Sequence, residues 1–75
     1  MTSTDHITVF VNNTKISIYR GMQVKHALIS RDQLLYEAAI EGRLFVVDEN
    51  GFRVGLEGAL YQNAKIFTRP AGILQ

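Results

Sequence analysis

Imidazole is the side chain that most readily binds metals or moves protons near neutral pH, so the two histidines come first. His6 and His26 stand twenty residues apart with no His-x-x-His or Glu-x-x-His spacing around either. A metal centre needs three or four convergent ligands, and these two read as partly exposed polar side chains. Ser30 follows His26 by four residues and shares its helix face. A serine nucleophile also needs an acid to orient its base and an oxyanion hole. Neither is visible, and Ser30 reads as the end of a helix. Asp48 and Glu49 form a carboxylate pair beside Asn50-Gly51, which is turn chemistry, and the ligand spacing of a calcium loop is missing. Gly51, Gly55 and Gly58 lack the following Lys-Ser/Thr and the strand-to-helix setting of a phosphate loop. Cysteine is absent, which removes disulfides, thiolate nucleophiles, iron–sulfur clusters and cysteine-bound zinc together. The residues therefore lead to an expectation of no catalytic residue, no metal and no cofactor.

The 75 residues suit one domain, and 47% hydrophobic content suits a packed core. Without disulfides or metal, that core must rest on packing alone. Nothing approaches the run of about 18 apolar residues that spans a membrane. Met1-Thr2-Ser3-Thr4-Asp5 has neither the basic start nor the apolar run of a signal peptide, so a cytoplasmic location is expected. The formal net charge is +1, and the eight Lys and Arg are spread along the chain without a block. That spread argues against nucleic acid as a partner.

The elements follow from periodicity. Residues 1–5 are polar and expected to be disordered. In residues 6–11, Ile7, Val9 and Val11 alternate with His6, Thr8 and Phe10, a strand pattern. Asn12-Asn13 tolerates the positive φ of a tight hairpin turn. Residues 15–19 return with Ile16 and Ile18 on one face and Lys15, Ser17 and Tyr19 on the other. Val24, Ala27 and Leu28 recur at helical spacing in residues 23–30. Asp32 is placed to cap a helix over 33–41, with Gly42 as its stop. The two helical segments fit either one bent helix or two. Leu34, Leu35, Ala38 and Ala39 read as their packing stripe, and Tyr36 as core or edge packing. Residues 44–47, 52–54 and 65–69 read as strands, with Leu56 and Leu60 carried toward the core by the intervening loop. Pro70, which has no ladder donor, is expected to stop the last strand. The domain is thus expected over 6–70, with 71–75 as a flexible tail. A hairpin, a crossing helical layer and a last strand parallel to the first make an α+β layout.

Ile7-Thr-Val-Phe-Val-Asn-Asn-Thr-Lys-Ile-Ser-Ile-Tyr-Arg-Gly-Met-Gln-Val-Lys-His-Ala-Leu28 resembles the opening of β-grasp (ubiquitin-like) proteins, and Leu60-Tyr-Gln-Asn-Ala-Lys-Ile-Phe67 is similar to their last turn and strand. The resemblance implies a mixed four- to five-stranded sheet with one or two helices on one face. The N-terminal part also looks like plant-type two-iron ferredoxin domains, whose four cluster cysteines are missing here. The C-terminal part looks like the sulfur carriers of thiamine and molybdopterin synthesis, which end in Gly-Gly. This chain ends Arg69-Pro70-Ala71-Gly72-Ile73-Leu74-Gln75, so carrier chemistry would require processing at Gly72.

Strand parity selects the outward side chains. If Ile7, Val9 and Val11 face the helices, Phe10 and Tyr19 face out. Ala64, Ile66 and Thr68 then face in, and Lys65, Phe67 and Arg69 face out. The first and last strands are expected neighbours, so Phe10 and Phe67 should lie close, flanked by Tyr19, with Lys15 and Arg69 near the rim. Aromatics and Arg are the residues that most often carry interface energy. The expectation is a non-enzymatic accessory module that binds a protein partner through this face. The resemblance to sulfur carriers, which dock activating enzymes there, suggests an adenylating enzyme, and the resemblance to ferredoxin domains, some of them parts of large redox complexes, suggests a redox complex. The alternatives are a sulfur carrier processed at Gly72 and a single-stranded RNA binder that stacks bases on the rings.

Overall fold

The computed structural model describes residues 5–71. They form β1 (His6–Val11), β2 (Thr14–Tyr19), α1 (Val24–Arg31), α2 (Gln33–Ile40), β3 (Leu44–Asp48), β4 (Arg53–Val54) and β5 (Ala64–Pro70). One mixed sheet runs in the order β2-β1-β5-β3-β4. β1 pairs antiparallel with β2 and parallel with β5, and β3 lies antiparallel to both β5 and β4. The architecture is α+β, an open five-stranded sheet with two helices, and it is compatible with the β-grasp layout.

Local chemistry explains each corner. Asn12 and Asn13 take φ of 52° and 69°, the left-handed pair that a two-residue hairpin loop needs. Asn12 then serves a second purpose. Its Nδ2 donates to Thr68 Oγ1 at 3.0 Å, its Oδ1 accepts from the Thr68 N–H at 2.9 Å, and its own N–H donates to the Ile66 carbonyl at 3.0 Å. The hairpin turn is therefore stitched to the last strand.

The helical region resolves into two helices. Asp32 breaks them with extended backbone, donates its N–H to the Leu28 carbonyl, and accepts from the Leu34 N–H at 3.0 Å. At the start of α1, the Val24 and Lys25 N–H groups donate to the Gly58 and Leu56 carbonyls, so the loop before β5 satisfies donors that helix geometry leaves free. His26 Nδ1 accepts from the Gln23 N–H at 2.9 Å as part of a capping box. At the end of α2, Gly42 (φ 80°) donates to the Ala39 carbonyl and Arg43 to the Ala38 carbonyl. These two bonds make a Schellman stop.

The core joins Ile7, Val9 and Val11 of β1 to Ile18, Val46, Ala64 and Ile66, with Val24, Ala27 and Leu28 of α1 covering them. Leu35, Tyr36, Ala39, Leu56 and Leu60 pack at its margin. Three sequence expectations change. Leu34 is 67% exposed because the core-facing arc of α2 centres on Leu35 and Ala39. Phe52 is exposed and precedes β4 rather than belonging to it. Pro70 is the last residue of β5, opposite Leu44, and the following Ala71 N–H reaches the Arg43 carbonyl. The expected disordered start (1–5) and flexible tail (71–75) lie outside the described residues except for Asp5 and Ala71.

Candidate functional site

The helices cover one face of the sheet, and the other carries the outward residues of all five strands. Register places them. On the β1–β2 side, Phe10 lies opposite Lys15, and on the β1–β5 side it lies beside Lys65. Two residues further along β5 is Phe67, diagonal to Phe10 and opposite Val47 of β3. Arg69 lies opposite Phe45, and Arg53 of β4 lies opposite Val47. Phe10, Phe45 and Phe67 are half-buried, Val47 is buried, and Lys15, Arg53, Lys65 and Arg69 are exposed. An apolar stripe thus crosses the sheet on the side away from the helices.

Cations lie over its rings. The Arg53 guanidinium carbon is 4.8 Å from the Phe45 ring centre, that of Arg69 is 5.7 Å from Phe67, and Lys65 Nζ is 6.0 Å from Phe10. These distances fall within cation–π reach. The long side chains cover ring area with their stems while the charged heads stay wet.

Of the six residues expected to build this face, five come together: Phe10, Phe67, Lys15, Lys65 and Arg69. Tyr19 does not flank the two phenylalanines. It faces outward at 55% exposure, but its register partner is His6, four residues back along β1 from Phe10, a separation of about 13 Å at strand rise. There the two rings stack at 4.3 Å between centres. Gly72, the candidate processed terminus, lies outside the described residues.

Phe45, Val47 and Arg53 are the members that sequence reading missed. Leu44-Phe45-Val46-Val47 is apolar on both faces, so alternation assigns no outward side until β5 is laid beside it. Arg53 sits in a two-residue strand, too short to show a period.

Charge is divided by the fold. Four of the eight Lys and Arg occupy outward strand positions on this face, and none of the seven Asp and Glu does. Cations spread along the chain are gathered by topology. The acids are placed elsewhere: Asp32 at the helix junction, Glu37 on α2 and Glu41 at its C-cap, Asp48 and Glu49 at the β3–β4 turn, Glu57 in the loop facing α1, and Asp5 ahead of β1. Asp48 Oδ1 is occupied by the Asn50 and Phe52 N–H groups at 2.8 and 3.0 Å. The ion pairs among the described residues, Lys25–Glu57 at 3.8 Å and Arg43–Glu41 at 2.7 Å, involve none of the four face cations. No group of three or more metal-ligating side chains occurs among the described residues. Among the described residues, no helix is long and apolar enough to cross a membrane.

Fold and surface together define a small α+β domain whose open sheet face is aromatic beneath and cationic above. No protein-family model, curated protein or solved structure matches the chain.

Proposed function

We propose that this chain is a non-enzymatic interaction module of the β-grasp, ubiquitin-like type that binds a protein partner through the open face of its sheet. The strand order, with β5 parallel to β1 at the centre, supports the superfamily reading. The lack of cysteine is compatible with work in the reducing cytoplasm. The binding reading rests on one observation: Phe10, Phe45 and Phe67 form a half-buried stripe on a sheet face that no helix among the described residues covers, with four cations around it. Aromatic and arginine side chains held against a rigid sheet lose little freedom on binding, which is why such groups dominate interface energies.

The test is a double change, Phe10→Ala with Phe67→Ala, in the full chain. Circular dichroism should be preserved, because neither ring belongs to the core between sheet and helices. Capture of a partner from native lysate should be lost. Capture at the wild-type level by the folded double variant would remove the face from the interface.

A further inference from the structure

We propose that the open face takes an Asp/Glu-rich segment of the partner protein. The inference rests on the face being the binding surface and adds the chemistry of what it binds. Two observations carry it. The first is the partition of charge: Lys15, Arg53, Lys65 and Arg69 share the face, no acid occupies an outward strand position there, and neither ion pair of the described residues involves them. In a chain of net charge +1, a one-sign face is the work of topology rather than of composition. Such a face steers an oppositely charged partner and fixes its register.

The second observation is the layering. Arg53, Lys65 and Arg69 lie over the rings of Phe45, Phe10 and Phe67 at 4.8, 6.0 and 5.7 Å. The outermost layer is therefore guanidinium and ammonium, with the rings beneath. A nucleobase stacking on these rings would have to displace the cations first. A carboxylate meets them where they already are, and an arginine held against a ring presents a planar fork suited to bidentate pairing. The layering favours carboxylates over stacked bases.

The experiment titrates the full chain into fluorescein-labelled decaglutamate, decalysine and a uridine decanucleotide at low and moderate salt. Decaglutamate should bind at low salt and weaken as salt rises, with decalysine silent and the uridine oligomer weaker. The pair Lys65→Glu and Arg69→Glu should weaken decaglutamate about tenfold or more, since each change replaces an attraction with a repulsion. The pair Lys25→Glu and Arg31→Glu makes the same change in net charge on α1 and should leave binding within about twofold. No decaglutamate binding at low salt overturns the proposal, as does equal weakening by both charge pairs. Tighter binding of the uridine oligomer overturns it in favour of nucleic acid. Loss of lysate capture by the Phe10→Ala, Phe67→Ala variant, together with no decaglutamate binding, would leave the face as an interface and reject only its acidic ligand.

Discussion

Asn12 shows how much one residue can carry in a domain this small. Its left-handed backbone opens the hairpin, and its amide makes two hydrogen bonds to Thr68, 56 residues away. The neighbouring Asn13 shares the conformation and is exposed. Glycine at either position keeps the turn, so the two substitutions separate conformation from bonding. Asn12→Gly should lower unfolding stability in urea by about 1–2 kcal/mol, because it leaves the part-buried Thr68 N–H and hydroxyl unpaired. Asn13→Gly should stay within about 0.5 kcal/mol of wild type. Equal losses would mean that the cross-link to β5 contributes nothing. At this scale the sequence was half legible. Asn-Asn between two alternating runs announces the turn, but nothing local announces a partner in the last strand.

The helices pose the question at the scale of elements. Asp32 ends α1 and caps α2, and Gly42 ends α2 in a Schellman stop. Asp32→Ala should cost about 1 kcal/mol through the lost bond to the Leu34 N–H. Gly42→Ala should cost about 1–2 kcal/mol, the penalty of holding an L-residue at φ 80°. A Cβ at Gly42 would meet nothing within 4 Å, so a larger loss in chemical denaturation would point to something other than backbone strain. Both residues were readable because capping is a local affair of one side chain and three or four backbone groups. The stripe on α2 was not fully readable. Eight residues hold scarcely two turns, and Leu34 lies at the margin of an arc whose centre is set by where the sheet lies. Leu34→Gln should therefore change stability by less than about 0.5 kcal/mol, whereas a core leucine would not tolerate it.

For the whole molecule, the scale of stability is set by size. A chain of 75 residues is expected to be stable by about 4–11 kcal/mol. Leu28 is fully buried between α1 and the sheet, and Leu28→Ala should remove about 2–5 kcal/mol, a large share of that total. A melting temperature within a few degrees of wild type would show that the described core is not the one that holds the fold. Charge is the other property of the whole. Summed over the chain it is nearly balanced, and sequence spacing shows no cluster. Folding brings Lys15, Arg53, Lys65 and Arg69 onto one face from positions up to 54 residues apart, and leaves no acid at an outward strand position there.

What the linear chain determined by itself was the set of elements and the direction of their side chains. Period-two and helical spacing, paired asparagines, a capping aspartate and a stop glycine are local signals, and local sterics and hydrogen bonding answer them within a few residues. The inward set of Ile7, Val9 and Val11 and the outward set of Phe10, Lys65, Phe67 and Arg69 followed from pleat geometry alone. Beyond the Phe10–Phe67 pair that the expected β1–β5 adjacency brought together, only the tertiary structure decided which outward residues are neighbours. Strand order and register placed Val47 beside Phe67, Phe45 beside Arg69 and Arg53 on the far side of Val47, and moved Tyr19 away to His6. Pairing between distant strands is set by the packing of the whole core, and no short stretch of sequence encodes it.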